Sequence, residues 1–295
     1  MKNPEKSFFT DFTLFCIAFI WALNFSVIKA SLEEIDPYSF NAIRFILAAV
    51  FMWCVVAWRK KWFKIPKKDF ATLLLLGLVG NLVYQWLFIV GIDLTLSANA
   101  AVMLGTIPIW IAIISHFMKL ERMNFLKTAG VVLAFIGVAA IIAGGENPIS
   151  FASDTFRGDI IIVIAAVTWA VYTIQSKKIL DRYTPLQFSA LMTTAGAVFL
   201  SLLAIHSHAQ TEWSTVSLAA YSGMVYSGLL AIGVAYLIWN NGLVKVGAVR
   251  TSMYQNLVPV LGLIFGVVLL NESLDLLQYT GSAIVISGII LTRKG

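Results

Sequence analysis

The amino-acid sequence predicts an all-α integral membrane protein with ten transmembrane helices, arranged as two inverted five-helix repeats around a central cavity. Three observations support this prediction: a very apolar composition, ten apolar stretches long enough to cross a bilayer, and an internal repeat that covers most of the chain. Together they define the fold class before any single residue is considered.

The composition excludes a soluble domain. Of the 295 residues, 59% are hydrophobic and 12% are charged, against about 45–50% and 25% in soluble proteins. The mean hydropathy is +0.86, and so few charged side chains cannot cover the core of a soluble domain of this length. The only two cysteines, Cys16 and Cys54, lie within apolar stretches, which excludes a disulfide-rich scaffold.

Ten stretches have the length that a membrane-spanning helix needs, which is about 17–25 residues. Nine of them contain no Asp, Glu, Lys or Arg, and the tenth contains only Arg44. In chain order the predicted spans 1 to 10 are Phe12–Ile28, Tyr38–Trp58, Phe70–Ile92, Leu94–Met118, Thr128–Gly145, Ile160–Ser176, Tyr183–Thr211, Trp213–Val244, Thr251–Asn271 and Leu276–Thr292.

The distribution of basic residues predicts the orientation. Eighteen Lys and Arg residues fall in the connections and tails on one side of the spans, whereas Lys29 and Arg157 fall on the other and Arg44 lies within span 2. Basic residues accumulate on the cytoplasmic side of membrane proteins. We therefore predict a multi-pass protein of the cell inner membrane with both termini in the cytoplasm. The basic cluster at 59–68 then lies in a cytoplasmic loop, which argues against nucleic acid as a partner.

The internal repeat relates two five-span units, residues 12–143 and 159–292. Five is an odd number, so the second unit must enter the membrane from the opposite side. Inverted repeats of this kind are typical of transporters, with the substrate site near the middle of the membrane. The matching pairs are Trp21/Trp169, Ala22/Ala170, Lys29/Lys177, Pro37/Pro185 and Phe40/Phe188 at an offset of 148, then Gly91/Gly242, Pro108/Pro259, Glu121/Glu272, Gly130/Gly281 and Gly137/Gly288 at 151.

Polar and aromatic side chains within the spans are the candidate substrate contacts. Polar groups are costly in the bilayer core and tend to face the bundle interior. Aromatic walls with a few amides suit a small amphipathic molecule. The alternative for these side chains is a role as hydrogen-bonded contacts between helices, and for Trp239 it is a position in an interfacial aromatic belt. The predicted substrate-binding residues are Trp21, Asn24, Tyr84, Gln85, Trp169, Tyr172, Tyr236, Tyr254, Gln255 and Asn256.

Three further residues within the spans have specific expected roles. Arg44 is a candidate contact for a carboxylate or phosphate of the substrate; the alternative is that it anchors the outer ends of helices through their free carbonyl groups. Pro108 and Pro259 occupy equivalent positions midway along spans 4 and 9. Each removes a backbone donor, so we expect each to kink or loosen its helix.

Several short motifs resemble the EamA repeat of the drug/metabolite transporter superfamily. They are Trp21-Ala-Leu-Asn-Phe, Arg44-Phe, Pro108 followed by Glu121, and Pro259 followed by Leu-Leu-Asn-Glu272. The resemblance covers both repeats and implies a central cavity built mainly from spans 1, 3, 4, 6, 8 and 9, with efflux or exchange of small metabolites. The second repeat departs from the first at Met192, where Arg44 would recur, and at Tyr172 in place of Asn24.

We therefore predict a secondary transporter that moves amino acids or similar small molecules by alternating access, as a monomer or homodimer in the lipid bilayer. No carboxylate lies centrally in a span and no Walker A sequence is present, so facilitated diffusion, exchange or protonation of the substrate is favoured over carboxylate coupling or ATP. No cofactor, metal or enzymatic activity is expected. The alternatives are a non-transporting subunit or sensor of the same fold, and a membrane-embedded enzyme.

Overall fold

The computed structural model describes residues 4–95, 100, 103–144, 153–270 and 274–295, and these residues are helical apart from short connections. The α-helices are α1 (Pro4–Leu32), α2 (Pro37–Trp58), α3 (Lys67–Gly77), α4 (Tyr84–Leu94), α5 (Ile107–Phe117), α6 (Phe125–Ala143), α7 (Ser153–Ile179), α8 (Pro185–Gln210), α9 (Leu218–Tyr226), α10 (Ala235–Val246), α11 (Ala248–Met253), α12 (Leu257–Leu270) and α13 (Leu276–Lys294).

Capping side chains determine where several helices begin. The Asp36 carboxylate accepts hydrogen bonds from the first backbone N–H groups of α2, and Pro37 follows it. Thr184 and Gln187 form a reciprocal capping box at the start of α8, as do Asp275 and Gln278 at α13. These contacts satisfy backbone donors that have no partner within a helix, so the boundaries follow from local sequence.

Predicted spans 3 and 8 each contain a π-helical segment. The segment Leu78–Val83 joins α3 to α4, and the segment Ser227–Val234 joins α9 to α10. The offset of 151 residues that relates the later parts of the two predicted repeats maps the first segment onto residues 229–234, within the second. A π-helix has a wider turn than an α-helix and often occurs at functional sites. The sequence did not predict these segments.

Predicted spans 4 and 9 are interrupted near their prolines. A turn at Thr106 precedes α5, and Pro108 lies in the first turn of that helix. In span 9, a 3₁₀ turn at Tyr254–Asn256 separates α11 from α12, and Pro259 lies in the first turn of α12. The first turn tolerates proline because its missing N–H needs no partner there.

The helices have the length and surface of a multi-pass membrane protein. Among the described residues, eight helices are long and apolar enough to cross a membrane, and Met103–Phe117 is a shorter apolar helix. Large apolar side chains such as Phe8, Leu202 and Leu276 are exposed on the outside of the bundle, where lipid would cover them. The ten-helix count remains a prediction, because predicted spans 4 and 9 are not among the eight long helices. The inverted repeat also remains a prediction.

Glycines allow close contacts between helices from the two predicted repeats. Helices α6 and α13 approach each other so closely that a Cβ atom on Gly137 would lie 2.7 Å from the Gly281 carbonyl oxygen. Similarly, the Tyr172 ring occupies the space that a Cβ atom on Gly80 would need. Small residues at such contacts are typical of helix association in membranes.

Candidate functional site

A group of six aromatic side chains occupies the middle of the bundle. Trp169 lies at its centre, with ring centroids 4.7 Å from Tyr84, 5.1 Å from Tyr172, 5.8 Å from Tyr236 and 5.9 Å from Trp239. The cluster continues to Trp21, whose ring lies 5.6 Å from that of Trp239. We call these six residues the central aromatic cluster. Tilted ring pairs at these distances are favourable beyond the area that they bury.

The central aromatic cluster brings together five residues that the sequence predicts as substrate contacts: Trp21, Tyr84, Trp169, Tyr172 and Tyr236. Trp239, for which an interfacial position was an alternative, is instead 2% exposed and packs between two other tryptophans. The belt interpretation of Trp239 is therefore wrong. The spacing of residues along a helix identifies the face on which each side chain lies. It does not show whether a neighbouring helix buries that side chain.

Among the described residues, the rings of the central aromatic cluster pack against one another in the region where the sequence predicts a cavity. A crevice beside the cluster is too narrow to admit a water molecule. Its lining includes Trp21, Trp239, Tyr254 and Gln255, together with apolar residues of α1 such as Ala18. The crevice lies between α1 and the region of the helix break before α12. A larger groove of about 320 Å³ lies away from the cluster, between α2 and α9, and its lining is mainly apolar.

Several polar atoms around the cluster are buried without a hydrogen-bond partner among the described residues. They include the side-chain nitrogens of Trp169 and Trp239 and the amide oxygens of Asn24 and Gln255. Neither amide atom of Asn256 has a partner within the described part of the chain. Buried polar groups without partners cost free energy, and a ligand that hydrogen-bonds to them would recover it. Asn24 and Asn256 are buried but are not part of the aromatic cluster. Asn99, a polar residue of predicted span 4, lies outside the described residues.

Trp21 already has a hydrogen-bond partner. Its indole N–H donates to the Ala231 carbonyl oxygen at 2.9 Å, within the π-helical segment Ser227–Val234. The Tyr226 hydroxyl donates to the Ile20 carbonyl oxygen at 2.9 Å. These two bonds attach α1 to the region of the π segment, so Trp21 combines a structural contact with its place in the aromatic cluster.

Arg44 lies in a buried polar network next to the central aromatic cluster. Its Nε donates to Asn41 Oδ1 at 2.6 Å, and its terminal nitrogens donate to Ser227 Oγ at 3.3 Å and Gln85 Oε1 at 2.7 Å. Gln85 Nε2 in turn donates to the Tyr236 hydroxyl oxygen at 3.2 Å. These partners are side chains rather than the helix-end carbonyl groups that the structural alternative proposed for Arg44.

The sequence missed Asn41 and Ser227, which complete this network. Asn41 lies three residues before Arg44, one helical turn away, and this spacing could have identified it. Ser227 is 183 residues from Arg44, and nothing in the local sequence predicts that contact. Its position at the start of a π segment was also not predictable from apolar periodicity.

One end of the bundle carries carboxylates paired with basic residues from distant parts of the chain. Asp11 accepts from Arg250 Nη2 at 2.6 Å and lies 3.2 Å from Arg293 Nη2. The Asp11 side chain is only 8% exposed. Burial of such a pair leaves little screening by water, so its loss is more costly than that of a surface pair.

Glu121 makes a second contact of this kind. Its Oε1 accepts from Lys177 Nζ at 2.6 Å and from the Ala248 backbone N–H at 2.5 Å. Gly247, immediately before Ala248, has a φ of +90°, and a Cβ there would lie 2.8 Å from Glu121 Oε1. Glycine therefore meets both the backbone and the space requirements of this contact.

Asp69 makes the third contact, with Arg182 and with the Tyr183 hydroxyl, which donates to Asp69 Oδ2 at 3.1 Å. All three contacts lie at one end, because α11 carries both Ala248 and Arg250 and because Arg182 follows the end of α7 that carries Lys177. We call this end the basic end.

At the opposite end of the bundle, segments between or near the ends of helices are joined by hydrogen bonds from neutral donors. Glu34 accepts from the Ser217 backbone N–H and hydroxyl, both at 2.7 Å, and these bonds lower the pKa of Glu34. The Thr95 hydroxyl donates to Asp159 Oδ1 at 2.5 Å. Among the described residues, no group of three or more His, Cys, Asp and Glu side chains is placed to hold a metal ion.

Comparisons with known proteins give the chain a family context. The model of the EamA-like transporter family matches residues 8–143 and again residues 156–294. An uncharacterized transporter of Archaeoglobus fulgidus is 31% identical over 274 residues, covering 92% of this chain and 93% of that protein. A probable amino-acid metabolite efflux pump of Escherichia coli is 26% identical over 287 residues, covering 95% of this chain and 93% of that protein.

A solved crystal structure has the same fold. It superimposes with a TM-score of 0.80, covering 96% of this chain and 94% of that chain, at 18% sequence identity. At this identity the likeness concerns the fold alone. The comparisons agree with the resemblance to the EamA repeat drawn from the sequence motifs, and the names of the relatives indicate transporters rather than enzymes.

Proposed function

Because the chain belongs to the EamA-like transporter family, we propose that it is a secondary transporter that moves small organic metabolites by alternating access between two halves. We define the halves by the two family matches, residues 8–143 and 156–294. Amino acids or similar molecules are the proposed substrates, in efflux or exchange, in line with the name of the Escherichia coli relative.

The contacts at the basic end carry this proposal. In each of them the carboxylate comes from the first half and the basic side chain from the second: Asp11 with Arg250, Glu121 with Lys177, and Asp69 with Arg182. A movement of the halves that opens a path at the basic end must therefore separate these pairs. Alternating access requires such a reversible closure at one end of the bundle.

We place the basic end in the cytoplasm, from the distribution of Lys and Arg along the chain. Both termini then face the cytoplasm, and the protein lies in the inner membrane. In this arrangement the structure is the state that is closed towards the cytoplasm. The crevice between α1 and the break before α12 begins near the basic end, because Thr251 of α11 lines it. It is the path that we expect to widen when the ion pairs separate.

The central aromatic cluster, with Asn24, Gln85, Tyr254, Gln255 and Asn256, is the proposed substrate site. Its rings supply apolar area, and its unpartnered amide and indole groups supply hydrogen bonds that can orient a small molecule. The helix breaks near Pro108 and Pro259 lie at equivalent positions of the two predicted repeats. The broken helices of transporters commonly border substrate sites. A substrate that enters would separate rings that now contact one another.

The proposed mechanism needs no carboxylate in the middle of the membrane. Among the described residues, the buried carboxylates Asp11, Asp69 and Asp159 all lie near helix ends. We therefore propose exchange or facilitated movement of the substrate rather than proton coupling through a carboxylate at the site.

Counterflow into liposomes tests this function. The purified protein is reconstituted into vesicles loaded with a mixture of the twenty amino acids, and uptake of each radiolabelled amino acid is measured. We expect at least one to accumulate transiently. Trp169→Ala should lower that uptake at least tenfold, whereas Trp62→Ala, which alters a ring that is 66% exposed, should leave it unchanged.

The outcomes of this experiment separate the alternatives. If no amino acid accumulates, the proposed substrate class is wrong. If a wider set of metabolites also fails to accumulate while the protein remains folded, transport itself is wrong, and the result favours a non-transporting subunit or sensor. Equal uptake by the Trp169→Ala and Trp62→Ala proteins would show that the central aromatic cluster is not part of the substrate site.

A further inference from the structure

Arg44 is a buried cation with unused hydrogen-bond donors. Arg44 is a residue of α2, and its relative solvent exposure is 3%. A guanidinium has five N–H groups, and three of them donate to Asn41, Ser227 and Gln85. Among the described contacts, each of the two terminal nitrogens keeps a second N–H without an acceptor. Charged N–H groups of this kind are donors that can bind a carboxylate.

The surroundings of Arg44 are neutral. Its three hydrogen-bond acceptors are two amides and a hydroxyl, and no carboxylate in the described part of the chain lies within ion-pair distance of it. The Phe40 ring, 5.6 Å from the guanidinium carbon, offsets only part of the charge. An unpaired charge within an apolar span is costly and commonly marks a substrate pathway.

Arg44 is also connected to the proposed substrate site. Gln85 links it to Tyr236, because one end of this amide accepts from Arg44 and the other donates to the Tyr236 hydroxyl. Tyr236 in turn contacts Trp169, with ring centroids 5.8 Å apart. A small molecule whose acid group reached Arg44 would therefore place the rest of its body among the rings of the central aromatic cluster.

We propose that Arg44 binds the carboxylate of the transported molecule, and that the substrates are small organic monocarboxylic acids with an apolar or aromatic body, amino acids included. This inference rests on the proposed transport function and specifies its substrate class. A single arginine matches a single negative charge. The equivalent position in the second repeat is Met192, which is 1% exposed and neutral, so the chain has one such site rather than two. A phosphate ester, with up to two charges, would find only half of its charge matched.

Binding measurements on the purified full chain test this proposal. The probes are glycine, phenylalanine, leucine, phenylacetic acid and benzoic acid, each paired with its primary amide, and phenyl phosphate is added as a further anion. Affinity is measured from the ligand-dependent rise in melting temperature. We expect at least one acid to bind at least tenfold more tightly than its amide and than phenyl phosphate.

Substitutions assign that preference to Arg44. Arg44→Gln should abolish the difference between acid and amide, and Arg44→Lys should keep part of it, because lysine retains the charge but not the fork. Arg59→Gln, which changes an exposed arginine just beyond α2, should keep it entirely. If Arg44→Gln folds and still prefers the acid, the proposal is wrong.

A second variant keeps the test decisive if Arg44→Gln does not fold. Asn41→Asp places a carboxylate at the atom that already accepts from Arg44 Nε, with almost no change in shape. This built-in anion should raise the melting temperature of the empty protein and weaken acid binding at least tenfold, while amide binding stays the same. A purely structural Arg44 would predict the stabilisation without the loss of acid binding.

The failure of this inference is distinguishable from the failure of transport. If the vesicles accumulate neutral molecules and the binding assay shows no preference for acids, transport stands and the carboxylate proposal is overturned. Preferential binding of phenyl phosphate would replace the carboxylate with a phosphate group and would also overturn it. Acid preference that disappears in Arg44→Gln and Asn41→Asp supports it.

Discussion

Among the described contacts at the two ends of the helix bundle, those at one end include cationic donors, and those at the other have neutral donors. At the basic end, Asp11, Glu121 and Asp69 of the first half bind Arg250, Lys177 and Arg182 of the second. At the opposite end, Glu34 and Asp159 accept hydrogen bonds from neutral donors of Ser217 and Thr95. All of these bonds have a charged acceptor, but only at the basic end is the donor also charged, so Coulomb attraction between opposite charges adds to the hydrogen bond there.

This difference indicates that separating the halves at the basic end requires breaking several partly buried ionic contacts. Exposure then ranks the contacts. Arg250, the partner of Asp11, is 17% exposed, whereas Arg182, the partner of Asp69, is 46% exposed, so water screens the second pair more than the first. The comparison of the two ends predicts that substitutions at these contacts have effects of graded size on stability and on opening at the basic end.

The largest effect is expected for Asp11→Asn. This change removes the carboxylate from two arginines at once, and loss of one partner of a buried pair typically costs about 3–5 kcal/mol. We expect a fall of several degrees in the melting temperature of the detergent-purified protein. Arg293→Gln is the matched control, because Arg293 is half-exposed and lies 3.2 Å from Asp11; its effect should be at most about 1 kcal/mol. Equal effects of both changes would contradict this ranking.

An intermediate effect is expected for Glu121→Gln, which weakens the contacts with Lys177 and with the Ala248 backbone N–H. In a chain without its native cysteines, Ala18→Cys places a thiol in the narrow crevice. A charged, membrane-impermeant thiol reagent applied at the basic end should then react about tenfold faster in the Glu121→Gln protein. This corresponds to about 1.4 kcal/mol in favour of the state open at that end.

Asp181→Asn is the control for that experiment. Asp181 is exposed at the same end, so its change removes one negative charge without breaking a contact that joins the halves. An unchanged thiol reaction rate in Glu121→Gln, or the same acceleration in Asp181→Asn, would show that the Glu121 contact does not hold this end closed.

The smallest effect is expected at the opposite end, where Glu34 accepts two hydrogen bonds from Ser217. These bonds lower the pKa of Glu34 from its ordinary 4.5, so the ionised form is favoured in the folded protein. The stabilisation is present above the ordinary pKa and is lost as the pH falls through the lowered one. Between pH 6 and pH 3, the melting temperature of wild type should therefore fall slightly more than that of Glu34→Gln.

The exposed neighbour Glu33, changed to Gln, should behave as wild type; a larger change there than at Glu34 would contradict this assignment.

The sequence predicted the membrane fold and much of the central cluster because both depend on local patterns. Apolar stretches identify spans, and the spacing of Trp21, Trp169 and Tyr172 within them identifies the face that turns inward. The contacts that join the halves depend instead on residues far apart in the chain, such as Asp11 and Arg250, which are 239 positions apart. Periodicity carries no information about such partners.

The closed centre was also not predictable from the sequence. Aromatic and amide side chains suit a cavity, but the same residues can pack against one another when the halves are together. The close approach at Gly80, where Tyr172 occupies the space of a side chain, is a property of the assembled helices. The π-helical segments, which bring Ser227 to Arg44, likewise leave no mark on apolar periodicity.

The sign of the charges at the basic end also has a consequence for how the molecule assembles. At these contacts the first half supplies the acids and the second half supplies the bases. At the predicted offset of 148 the counterpart of Arg182 in the first half is Glu34, so two copies of the first half in the same arrangement would place an acid opposite Asp69. Electrostatic repulsion at this contact therefore favours the association of unlike halves, and the two halves are not interchangeable there.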